Sequence, residues 1–108
     1  MKFVHTFWSK PLYASKFNRF DLLARCILVQ YAYSAECIHK LGEHIVLVAD
    51  ALGAEMLSFI PYDNVIIVDM EDTSPHFAAS IKFKALELVD PDDVLIDGDL
   101  FLTKPEAL

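Results

Sequence analysis

The 108-residue sequence is 55% hydrophobic with a formal net charge of −7, a pI near 4.8 and a mean hydropathy of +0.35, a globular rather than a disordered composition. Its nine basic residues are scattered, which argues against the clustered positive charge that nucleic acid needs. The longest uncharged run, Cys26 to Ala35, is far shorter than the roughly 20 residues of a membrane span.

The opening "MKFVHTFW" has neither a long apolar h-region nor a cleavage site of small residues, so an unprocessed chain is expected. Cys26 and Cys37 fall in one predicted helix, about 16 Å apart along its axis. A disulfide needs Cα atoms within about 7 Å. Two buried free thiols are therefore expected, in keeping with a reducing, cytoplasmic setting. A domain this small buries only about 60 to 70% of its unfolded surface. So apolar a chain predicts leftover apolar surface, and with it a homo-oligomer or a partner chain.

In chain order, "KFVHTF" (residues 2–7) is apolar, β-branched and aromatic, and predicts a first strand. Asn18 is a candidate helix cap with Asp21 three residues on. The apolar positions Phe20, Leu23, Ile27, Tyr31, Ala35 and Ile38 then keep helical spacing until Gly42. "HIVLVAD" is too short for a helix and reads as a strand buried on both faces, ended by Asp50. A short helix over Ala51 to Phe59 and a third buried strand, "NVIIVDM", follow. Ser74 as cap and Pro75 at the first helical position open another helix, with Ala78, Ile81, Ala85 and Leu88 on one face and an end near Asp90. "DVLI" is a fourth strand leading to Asp97.

Strand and helix alternate throughout residues 1–108, with no linker or repeat. The expected fold is therefore a single α/β domain with a mostly parallel sheet and helices on both faces. Ligands bind such sheets beyond the carboxyl ends of the strands. The residues expected there are "HTFWSK", Asp50, Asp69 to Thr73, and the Asp97-Gly98-Asp99 triplet.

In an extended segment, residues i and i+2 point the same way, roughly 6.5 Å apart, so Asp97 and Asp99 can aim at one cation. Gly98 would leave room for a bulky ligand near the backbone. Mg²⁺ is commonly held by one or two carboxylates plus substrate phosphates, and Mn²⁺ takes similar oxygen ligands. The competing reading is a solvated turn, the commoner use of Asp and Gly.

The segment "DVLIDGDLFL", placed after a helix containing "KFKAL", resembles the Asp-X-Asp region of GT-A type nucleotide-sugar glycosyltransferases. "FVHTFWSKP" also looks like the first strand and nucleotide loop of an uncharacterised branch of these enzymes. The resemblance covers nearly the whole chain, as the N-terminal, nucleotide-binding half of a Rossmann-like fold. It implies that Asp97 and Asp99 bind Mn²⁺ or Mg²⁺ bridging the diphosphate of a nucleotide-sugar donor. It further implies that Thr6, Phe7 and Trp8 line the nucleotide pocket, that Asp50 contacts the nucleoside, and that Lys82 faces the donor.

Each residue also has a plainer reading: packing for Trp8, a helix cap for Asp50, and a solvated face for Lys82 and Lys84. His5, His39, His44 and His76 show no regular metal-ligand spacing. GT-A domains draw acceptor contacts from a second half, and no candidates for them follow Asp99, so transfer by this chain alone is not expected. A phosphatase of the haloacid dehalogenase type also carries Asp-X-Asp after a strand. Its motif continues with a small residue and Thr or Val, whereas "DGDLFLT" continues with Leu and Phe, which ranks this reading lower. The reading from another class is a noncatalytic assembly module that retains the fold, since an open sheet edge favours pairing with another chain.

Overall fold

The computed structural model describes residues 2–9, 20–70 and 80–101, with side chains in the first helix from residue 25 onward. The proposed caps at Asn18 and Ser74, together with Pro75, Ala78 and residues 71–73, lie outside the described residues. Seven elements follow in order: β1 (Phe3–Phe7), α1 (Phe20–Lys40), β2 (Ile45–Ala49), α2 (Ala51–Met56), β3 (Asn64–Ile67), α3 (Ser80–Leu88) and β4 (Val94–Leu95). The strands form one sheet in the order β3-β2-β1-β4, parallel throughout. This is a Rossmann-like α/β architecture.

The two-residue period of the strands sorts the core into two layers. Phe3, His5 and Phe7 pair in register with Ile45, Leu47 and Ala49. The apolar members of that set pack with Ala35 and Ile38 of α1 and with Leu57 and Ile60, just beyond α2. The alternate residues Val4 and Val48 pack against Ala85 of α3, on the other face. Helices therefore cover both faces. Parallel pairing explains why each connection returns over the sheet, since neighbouring parallel strands need a crossover.

Burial separates central from edge strands. Every residue of β1 and β2 is buried. The expectation of a third buried strand is corrected: in β3 only Ile66 is half-buried, and Ile67 is 61% exposed. β3 borders β2 alone, so one edge and much of its surface have no neighbouring strand. The helices also stop early. α2 gives way to a turn after Met56, and α3 ends at Leu88, which is half exposed. Cys37 is buried as expected, but Cys26 is exposed, because it lies off the inward stripe of Ile27, Tyr31, Ala35 and Ile38. No helix among the described residues is long and apolar enough to cross a membrane.

Candidate functional site at the carboxyl edge of the sheet

Because all four strands run the same way, their carboxyl ends meet at one edge of the sheet. Following the strand order, the residues there are Asp69 after β3, Asp50 after β2, Trp8 after β1 and Asp97 after β4. The chain builds outward from β1 to β2 and β3, then returns to the other side of β1 to add β4. The strand order thus reverses between β1 and β4, the switch point at which open α/β sheets hold their ligands.

A trough of three clefts follows this edge. The largest, about 520 Å³, is lined by Trp8, Asp50, Leu52, Ile67, Asp69 and Met70 among others. A cleft of about 200 Å³ at the switch point includes Thr6, Phe7, Trp8, Tyr31, Lys82 and Asp97. A third, of about 350 Å³, is bounded by Phe7, Gln30, Tyr31, Asp97, Gly98 and Asp99. Trp8 is common to the first two, and Phe7, Tyr31 and Asp97 to the last two. Thr6, Phe7, Trp8, Asp50, Lys82, Asp97 and Asp99, the residues assigned to a site from the sequence, therefore each line at least one of these three clefts.

For Asp50, Trp8 and the Asp97-Gly98-Asp99 triplet the structure shows the plainer roles read from the sequence, a helix cap, a packing residue and a turn. Asp50 caps α2, with extended φ and ψ of −71° and 167° and its carboxylate accepting from Gly53 N–H. It also accepts from the backbone N–H of Ser9 at 3.0 Å and from the Ser9 hydroxyl. The carboxylate thus ties the loop after β1 to the start of α2, and Ser9 is a partner that sequence spacing did not reveal. Trp8 is both packing residue and cleft wall: it is 6% exposed and packs with Met70 and Ile81.

The Asp97-Gly98-Asp99 triplet is a turn in its backbone. Leu100 N–H donates to the Asp97 carbonyl at 3.0 Å, so the extended i, i+2 geometry expected for the two carboxylates is corrected. They nonetheless border one cleft. The role expected for Gly98 is corrected as well: the space beside its Cα is filled by the Tyr31 ring, not left for a ligand.

Tyr31 sits under the turn and donates from its hydroxyl to the Thr6 carbonyl at 2.6 Å. Burial pushes its phenol well above the usual range, and the charges of Asp97 and Asp99 push the same way. Ser34, one turn further along α1, donates to the Leu100 carbonyl at 2.6 Å. A hydroxyl has one proton to give. Its 2.9 Å contact with His5 Nε2 therefore has the imidazole as donor, which leaves Nδ1 to accept from the Tyr62 hydroxyl at 2.7 Å. This chain of bonds fixes the turn to the centre of the sheet and keeps His5 neutral, with burial lowering its pKa to about 4.

Lys82, on α3, reaches across to Asp97 Oδ1 at 2.8 Å. Lys84 is exposed and lines none of these clefts. Another carboxylate group, Asp90, Asp92 and Asp93, brings oxygens within 4.8 Å of one another. It precedes β4 and so lies at the opposite end of the strand from the trough, and Asp93 already accepts from the backbone N–H groups of Lys2 and Asp90.

With the geometry in place, comparison with known families gives the affiliation. Residues 1–107 match the Family of unknown function (DUF6734). The chain belongs to that family. No curated protein and no solved structure matches it.

In this DUF6734 chain Asp97 and Asp99 are the residues that could offer oxygen ligands to a hard divalent cation. Both side chains offer oxygen, both bound the same cleft, and both act on the Tyr31 phenol. Two carboxylates completed by water and ligand phosphates are a common Mg²⁺ arrangement.

Proposed function

We propose that this domain is glycosyltransferase-like and binds a nucleotide-diphospho-sugar through Mn²⁺ or Mg²⁺ held by Asp97 and Asp99. The observation that carries the reading is the coincidence of the fold's switch point with a trough bearing Trp8 at its middle and the two carboxylates at one end. Trp8, Leu52 and Ile67 give the larger cleft apolar walls suited to a nucleoside, with Asp50 and Asp69 as hydrogen-bond acceptors on its rim. Thr6 and Phe7 floor the passage toward Asp97. The charge balance argues for a cation: Asp50, Asp69, Asp97 and Asp99 line the trough, against Lys82 alone among the described residues. A diphosphate would be repelled from such a site without added positive charge. Held by Asp97 and Asp99, a divalent ion would supply Lewis-acid stabilisation of negative charge on the diphosphate. An acceptor of unknown kind and a cytoplasmic setting belong to the same proposal.

Calorimetry with UDP and GDP, with and without Mn²⁺, tests the reading. Nucleotide binding that requires the metal and disappears in Asp97→Ala and Asp99→Ala is the expected result. A folded protein that binds neither nucleotide under either condition would overturn it. In that event the noncatalytic assembly reading, with a second copy of this chain as partner, takes its place. It draws on the exposed Phe83 and Leu86 of α3 and the exposed Ile67 of edge strand β3, and sedimentation at rising concentration decides it.

A further inference from the structure

Asp97 is already satisfied by a cation of the chain's own. Lys82 Nζ stands 2.8 Å from Asp97 Oδ1, with the two side chains about half and two-thirds exposed. Lys82 stands on α3 and Asp97 just beyond the end of β4, and they share the cleft with Thr6, Phe7, Trp8 and Tyr31. Lys82 is also the one cationic side chain lining the trough among the described residues.

We infer that Lys82 is a tethered counter-ion that occupies Asp97 when no metal is bound and moves to the donor diphosphate when a metal takes its place. This rests on the proposed metal and nucleotide site and adds its regulation. The physical basis is the weakness of an exposed ion pair, which is screened by water and salt and costs side-chain entropy to hold. A divalent cation shared by Asp97 and Asp99 outcompetes one ammonium on Asp97. The freed ammonium, on a four-carbon stem with rotatable donors, stays inside the same cleft and meets anionic oxygens there. Lys82 thereby keeps Asp97 neutralised in the empty domain and binds substrate in the loaded one.

The exchange gives two effects of opposite sign in Lys82→Met. With no nucleotide, the variant has lost the competitor and binds Mn²⁺ more tightly, by about two- to fivefold, the range of an exposed pair. At saturating Mn²⁺ it has lost a phosphate partner, and UDP binds at least about threefold more weakly. Lys84→Met removes the same net charge from α3 without touching the trough and is expected to change neither constant. Free Mn²⁺ read by electron paramagnetic resonance and UDP binding read by calorimetry supply both measurements, with circular dichroism confirming that the variants fold.

Equal Mn²⁺ affinity in wild type and Lys82→Met would overturn the exchange while leaving the proposed function standing. So would equal tightening in Lys84→Met, since the effect would then be one of net charge. Failure of the wild type and of Lys82→Met to bind Mn²⁺ would overturn the exchange and the metal-site reading together.

Discussion

The ring of Tyr31 fills the space in which a side chain at residue 98 would stand, so Gly98 is required by packing inside the domain. The same ring is held in place by its hydroxyl bond to the Thr6 carbonyl and by an edge-on contact with Phe7, with centroids 5.4 Å apart. A helix residue and a glycine 67 positions later thus set where the Asp97 to Leu100 turn sits over the end of β1.

Gly98→Ala is expected to destabilise the domain by about 1–3 kcal/mol, the usual cost of overpacking a well-filled site. Because the clash is with one ring, Tyr31→Leu in the same chain relieves part of it. The double variant should then be more stable than the sum of the two single losses. Urea denaturation of the four proteins in this cycle measures the coupling, and strict additivity would contradict the packing account.

Asp50 carries structural bonds whatever the trough binds. Its carboxylate serves Gly53 N–H, Ser9 N–H and the Ser9 hydroxyl, so Asp50→Ala removes a helix cap and frees two groups of the β1 loop. A loss of about 2 kcal/mol is expected from caps and charge-assisted bonds of this kind. Asp50→Asn, which keeps one acceptor oxygen, should recover part of it in the same denaturation assay.

His5 gives the stability a defined pH dependence. Its folded pKa of about 4 lies below the ordinary 6.5, so the unfolded chain takes up the proton first as the pH falls. The contribution is complete above pH 6.5 and declines progressively down to about pH 4. Its total is about 3 kcal/mol at 1.36 kcal/mol per pH unit. Asp63 does not overlap this window. The Ile45 backbone N–H and the His39 side chain hold its carboxyl at about 2, against 3.8 ordinarily, so its contribution is lost only as the pH falls from 3.8 through 2. Urea midpoints taken from pH 7.5 to 4.5 should fall in the wild type and fall less steeply in His5→Gln, which has no ring to titrate.

Trp8 is the chain's single tryptophan, and it borders both the largest of the three clefts and the switch-point cleft. Its emission therefore reports on the trough without background from another indole. Saturating UDP with Mn²⁺ is expected to change the emission intensity by more than about a tenth, as stacking or desolvation at an aromatic wall does. Unaltered emission at nucleotide concentrations that calorimetry shows to be saturating would place the nucleotide elsewhere.

The sequence by itself determined the element types and their order. Alternating apolar runs and helical spacings are local properties, and a βαβ alternation admits few topologies. It also brought Thr6, Phe7, Trp8, Asp50, Asp97 and Asp99 to one edge, since parallel strands end on the same side. Only the tertiary structure decided which strand is central. "IVLVA" and "NVII" are alike in composition, yet β2 has strands on both sides and β3 on one, which leaves Ile67 exposed. Likewise, no spacing rule links Tyr31 to Gly98, Ser34 to Leu100 or Lys82 to Asp97. Each pair spans two elements that meet only because α1 and α3 lie over opposite faces of the same sheet. The physical reason is range: hydrophobic periodicity acts over a few residues, whereas a cleft is set by contacts between segments tens of residues apart.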